Sequence, residues 1–109
     1  SNKYFLNKDL SLNSLASLLG TNRQYLSSYI KNVKHSTFYD YVNEFRLSSV
    51  LDKLNATENL QQVDWEEIIG SCGFNSYSTF LRVFKKHFKM LPSKYVKELQ
   101  KNKSAETNH

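Results

Sequence analysis

The sequence predicts an all-α fold built from two similar helix pairs. Three observations carry that expectation. Only three glycines and one proline punctuate the 109 residues. Apolar residues recur at three- and four-residue steps, and no segment shows the alternation of a half-buried strand. Finally, the stretch GFNSYSTFLRVFKKHFKMLPSKY, residues 73–95, has a fainter counterpart 54 residues earlier. Asn22, Gln24, Leu26, Ser28, Ile30 and Lys31 align with Ser76, Ser78, Phe80, Arg82, Phe84 and Lys85, and Gly20 precedes the first copy much as Gly73 precedes the second.

The elements follow in order. Leu10, Leu12, Leu15, Leu18 and Leu19 predict a short amphipathic helix from about Leu12, with Ser11 as its N-cap and Gly20 as its stop. Asn22 can cap a second helix whose inner stripe is expected at Tyr25, Leu26, Tyr29, Ile30 and Val33. Ser36 is expected to cap a long helix over residues 37–54, with Phe38, Tyr41, Val42, Phe45, Val50, Leu51 and Leu54 as its apolar positions. At 1.5 Å per residue that helix spans about 27 Å. Residues 55–63 read as a polar loop. Asp64 and Glu67 have capping-box spacing for a helix from Trp65 to Cys72, which Gly70 weakens by about 1 kcal/mol relative to alanine. Ser76 can cap the next helix, with Phe80, Val83, Phe84 and Phe88 inward. Pro92 suits the first turn of a last helix to about Lys101, and residues 102–109 are expected to fray.

Bulk properties fit one domain with a modest core. The apolar runs are too short for a transmembrane helix and no signal peptide is visible. The single cysteine, Cys72, excludes an internal disulfide and a thiolate zinc site. A cytoplasmic location and no membrane contact are expected. Ser1 and Asn2 have the look of a cloning remnant, so the chain is expected to be a piece of a longer protein. His35, His87 and His109 lack ligand spacing, so no metal is expected. Asp64, Glu66 and Glu67 sit at a helix start, where the helix dipole favours acids. No glycine-rich phosphate loop, nucleophile elbow or other catalytic constellation occurs, so neither an enzyme nor a cofactor is expected.

The placement of charge says more than its sum of +5. Residues 22–34 hold Arg23, Lys31 and Lys34 and no acid; residues 76–89 hold Arg82, Lys85, Lys86 and Lys89 and no acid. These two segments carry +7 and everything else −2. One such helix is ordinarily a solvated face. Two in repeated context point to a polyanion. A short helix, a tight turn and a second helix form the helix-turn-helix unit, whose second helix enters the major groove. Two units joined by a stiff central helix could enter successive grooves about 34 Å apart.

The chain resembles the C-terminal DNA-binding domain of AraC/XylS-type transcription regulators. The matching segments are LSLNSLASLLGTNRQYLSSYIK, FYDYVNEFRL, GFNSYSTFLRVFKKHF and PSKY, from Leu10 to about Tyr95. The TNRQYLSSYI form is similar to the version attached to large sensor proteins, including hybrid histidine kinases. The resemblance implies a seven-helix fold, here with its first helix cut down to residues 3–8. It implies one domain over residues 1–109, with helix-turn-helix units at about 12–33 and 65–88, a linker helix at about 37–54 and a last helix at about 92–101. It also implies binding to double-stranded promoter DNA. Base contacts are expected from Arg23, Gln24, Ser27 and Ser28 in the first unit and from Tyr77, Ser78, Leu81 and Arg82 in the second. An arginine can hold guanine O6 and N7 together, worth about 1–3 kcal/mol, and Gln24 can pair with adenine. Lys31, Lys34, Lys85 and Lys86, with the helix starts at Asn22, Ser36 and Ser76, are expected at phosphates. RNA polymerase stands as a further candidate partner. The piece is expected to be monomeric, and its parent dimeric through a domain absent from this chain. The alternative is a helical interaction module docking an acidic protein.

The chain departs from the family pattern at three places. Ile69 stands where alanine is usual, Lys89 where glycine is usual, and Leu91 where a serine or threonine cap is usual. If the backbone at Lys89 is left-handed, it costs roughly 1–2 kcal/mol. Arg46 is expected to bond between the subdomains rather than to phosphate.

Overall fold

The computed structural model describes the backbone of residues 2–107 and the side chains of residues 4–103. Among the described residues there are six α-helices and no strand: α1 Leu12–Leu18, α2 Arg23–Asn32, α3 Phe38–Ala56, α4 Trp65–Ser71, α5 Tyr77–Phe88 and α6 Pro92–Thr107. Two 3-10 turns, Asn2–Leu6 and Leu60–Gln62, complete them. The second gives the expected polar loop an anchor, because Leu60 is buried. The molecule is elongated, 52 × 26 × 25 Å.

The repeat runs further than sequence comparison indicates. Helices α1 and α4 each have 7 residues and stop in the same way. The N–H of Thr21 reaches the carbonyl of Ala16, and that of Phe74 reaches Ile69; Gly20 and Gly73 take φ of 72° and 93°. These are Schellman closures, which need the left-handed conformation glycine adopts freely. The second turn is then one residue longer: four residues, 19–22, separate α1 from α2, and five, 72–76, separate α4 from α5. Asn22 Oδ1 accepts from the Tyr25 N–H at 2.8 Å, and Ser76 Oγ from the Thr79 N–H at 3.2 Å. The second helices end differently, α2 at a right-handed C-cap, Val33, and α5 at the left-handed C-cap Lys89, but the entries to the third helices correspond. His35 (φ 52°) and Lys89 (φ 58°), 54 residues apart in sequence, are left-handed, and α3 and α6 start three residues after them. Thus α3 is the third helix of the first unit as well as the bridge to the second.

Two apolar clusters sit along α3. One gathers Phe5, Leu15, Ala16, Leu26, Ile30 and Val42. The other gathers Leu47, Val50, Leu54, Leu60, Ile69, Cys72, Phe74, Phe80, Phe84 and Val96. One helix therefore serves both cores, which keeps them in fixed register. Leu47, at the junction, was not among the expected apolar positions; its 2% exposure reflects where the second core begins. Burial pushes the Cys72 thiol above its ordinary pKa, as for an inert core residue. Ile69 fills the place that Ala16 takes in the first unit, and both are buried.

Several expectations need correction. The expected first helix is a 3-10 turn, yet it is a packed part of the fold: Phe5 is buried and stacks on Phe45 at 4.2 Å. Thr37, not Ser36, caps α3. Thr37 Oγ1 accepts from the Asp40 N–H, while the Ser36 N–H closes α2 on Ile30 O and the Ser36 hydroxyl donates to Thr37 O. The expected inner stripe of α2 is too wide. Leu26 and Ile30 are buried, but Tyr25 is 65% exposed, Val33 57% and Tyr29 38%. Those three follow one another at four-residue steps along the exposed flank of α2 and its C-cap. Leu18 and Leu19 are exposed for a similar reason, at the free end of α1. The last helix continues past Lys101 to Thr107, and Lys103 Nζ donates to Asn55 O and Thr57 O at the end of α3. Those contacts hold a segment whose polarity alone predicts fraying; residues 108 and 109 lie outside the described residues.

Candidate nucleic-acid interface

Helix α5 is divided sharply into two faces. Phe80 and Phe84 are fully buried and face the second core. Ser78, Arg82 and Lys85 fall on the opposite side of the helical wheel, with Leu81 on the flank between the two faces. Helix α2 repeats the arrangement. Leu26 and Ile30 are buried, and Gln24, Ser27, Ser28 and Lys31 lie opposite. Each inward pair is a core anchor that fixes the rotation of its helix. The outward set is consequently presented at a defined angle.

The sequence-predicted residues distribute as follows. Arg23, Gln24, Ser27 and Ser28 are exposed and together line one shallow depression on α2. Lys31 is exposed on the same side. Lys34 is not grouped with them: it lines a separate groove with Tyr41, Glu44, Phe45 and Ser48. Tyr77 is about half exposed and leans on Phe80, with ring centroids 6.0 Å apart. Ser78 is exposed and Leu81 half-buried. Asn22 and Ser76 have their side chains engaged as caps, but both lie at exposed helix starts. Ser36 lies just before its helix rather than at the cap, in the turn closed by His35.

Arg82 and Lys86 have partners that sequence reasoning missed. Arg82 Nη2 donates to the Tyr39 hydroxyl at 2.6 Å, and its guanidinium carbon lies 5.3 Å from the Tyr39 ring centroid. Lys86 Nζ is 3.7 Å from Asp40 Oδ2. The first turn of α3 thus meets the outward cations of α5 across 43 residues of sequence. No local spacing signals that contact; only the placement of α3 against α5 creates it. Lys85 is exposed. Arg46 is structural, as expected, with Nε and Nη2 donating to Phe5 O and Asn7 O, both at 2.7 Å. Burial lowers its pKa from the ordinary arginine value, with Tyr39 acting in the opposite direction.

Among the described residues no group of histidine, cysteine and acidic side chains could hold a metal ion. None of their helices is long and apolar enough to cross a membrane. What the geometry offers is a pair of basic, outward helix faces on two like units, and that defines the class of double helix-turn-helix DNA-reading domains.

Comparison with known proteins gives the family. Residues 15–98 match the family model described as a helix-turn-helix domain. The chain is 33% identical over 91 residues to the probable transcription factor PqrA of Proteus vulgaris, covering 82% of this chain and 70% of that protein. It is 30% identical over 90 residues to the regulatory protein SoxS of Escherichia coli, covering 83% and 80%. Its fold is similar to the C-terminal domain of AraT, a response regulator from Geobacillus stearothermophilus, with a TM-score of 0.73 at 28% identity, covering 89% of this chain and 77% of that one. The chain belongs to the AraC/XylS family of transcription regulators, through their DNA-binding domain. It is a sequence-specific DNA-binding domain for transcription regulation, not an enzyme.

Proposed function

We propose that this chain reads promoter DNA with both units, placing α2 and α5 in successive major grooves on one face of the duplex. The observation that carries this reading is the matched pair of outward faces on two helices whose cores share α3. In the proposed complex Arg23, Gln24, Ser27 and Ser28 meet bases in one groove, and Tyr77, Ser78, Leu81 and Arg82 in the next. Lys31, Lys85 and Lys86 meet phosphates, with the helix starts at Asn22 and Ser76. Lys34 and Ser36 contribute at the edge of the first half-site. Arg82 supplies the strongest discrimination, because a guanidinium can fork onto guanine. The serines of α2 read more weakly, in part through water.

The same reading places the chain in the cytoplasm, as a monomeric piece of a parent that dimerises through a domain this chain does not contain. RNA polymerase is its proposed protein partner. Competition gel shifts test the central part. A promoter fragment should be retained against an excess of random duplex at low salt, and binding should weaken steeply as salt rises. Equal displacement by unlabelled promoter duplex and by random duplex would remove the claim of sequence reading. The exposed row of Tyr25, Tyr29 and Val33 beside the basic face of α2 favours, as second reading, a module that docks an acidic protein. Absence of any duplex binding at low salt would select it.

A further inference from the structure

We propose that Tyr39 is a positioning residue for Arg82, so that the base preference of α5 depends on a side chain of α3. The inference rests on the DNA-reading role of Arg82 given above. Three features of the site support it. Tyr39 holds the guanidinium twice, by the 2.6 Å hydrogen bond to its hydroxyl and by its ring 5.3 Å from the guanidinium carbon. One turn along α5, Asp40 meets Lys86, so two successive residues of α3 face two outward cations one turn apart. Tyr39 is itself 47% exposed, so the contact lies at the surface where a duplex would arrive, not inside the core.

The chemistry fits positioning rather than sequestration. A guanidinium carries five N–H donors. Tyr39 occupies one of them, and a two-pronged fork remains for guanine. An unrestrained arginine must surrender its rotamer freedom on binding, and restraint in the free protein removes part of that loss. Sequestration would have the opposite signature, since DNA would have to displace Tyr39.

The experiment uses the full 109-residue chain and a duplex selected for tight binding, with each base pair substituted in turn. Wild type, Tyr39→Phe, Tyr39→Leu and Arg82→Ala are compared by fluorescence anisotropy, with thermal melts of each. Arg82→Ala identifies the position that Arg82 reads. Tyr39→Phe, which keeps the ring and loses the hydroxyl, should reduce preference at that position about fivefold, the worth of a typical hydrogen bond. Tyr39→Leu should reduce it at least as much. Preference elsewhere, binding to random duplex and the melting temperature should stay unchanged. A purely structural tyrosine would move the melting temperature and not one base position. Unchanged preference in both Tyr39 variants, or tighter binding, would overturn the positioning role while leaving the reading by Arg82 intact. If Arg82→Ala altered no single position, the reading by Arg82 would fail and the role of Tyr39 with it.

Discussion

Arg46 Nε donates to the backbone carbonyl of Phe5 at 2.7 Å, joining the middle of α3 to a turn 41 residues earlier. Gly73 closes over this bond. A Cβ built on Gly73 would lie 2.5 Å from Phe5 O and 2.8 Å from Arg46 Nε. The N-terminal turn, the central helix and the turn of the second unit therefore meet at one point. That junction lies between the two cores and fixes one unit against the other.

Removing the guanidinium should be costly. Arg46→Met keeps much of the stem but leaves the carbonyls of Phe5 and Asn7 without their donors. A charged hydrogen bond contributes about 1.5–3 kcal/mol, so a loss of roughly 3 kcal/mol is expected from urea unfolding. Arg46→Lys should recover only part of it, because an ammonium lacks the planar fork that spans two carbonyls. Full recovery by lysine would show that charge alone matters there.

The two turn glycines should differ although both have positive φ. Gly20→Ala meets nothing within 4 Å and should cost only the left-handed backbone, about 1 kcal/mol. Gly73→Ala adds a collision with backbone and should cost several kcal/mol, or fail to fold. Equal effects of the two substitutions in thermal melts would contradict the close approach of Gly73 to Phe5.

Lys89 stands left-handed at φ 58°, at the C-terminal end of α5. Lys89→Gly should therefore stabilise the domain, by about 1 kcal/mol after the entropy of glycine is set against the relieved strain. For a domain of this size that raises Tm by about 4–8 °C. A lower Tm would mean that the lysine side chain contributes more than its backbone costs.

Lys85 is proposed to meet a phosphate. Lys85→Ala should weaken binding to all duplexes alike and flatten the dependence of log K on log salt by about one unit. Loss of preference at a single base position would reassign Lys85 to base reading.

Much of this fold is legible in the sequence because its signals are local. Ser11, Asn22, Asp64 and Ser76 cap the helices they precede, and Gly20 and Gly73 end α1 and α4. Phe80 and Phe84, four residues apart, identify the buried face of α5 and therefore its outward face. What could not be read depends on contacts distant in sequence. Tyr25 and Val33 look inward by periodicity, yet both are exposed, because burial depends on which elements distant in sequence pack there. The tail of α6 is polar and still helical, because Lys103 reaches carbonyls near the end of α3. Tyr39 lies in the matched segment FYDYVNEFRL, but nothing in that segment marks it as a partner of Arg82. Its place beside Arg82 follows from the crossing of α3 and α5.

The central claim, that both units read bases, is tested most directly by selecting bound duplexes from a random pool with this chain. The expected result is a motif of two blocks centred about one helical turn apart, about 10–10.5 base pairs. The block that depends on Arg82 should be the more sharply defined. A pool that yields no enriched sequence, or a single block untouched by substitutions at Gln24 and Arg23, would contradict it.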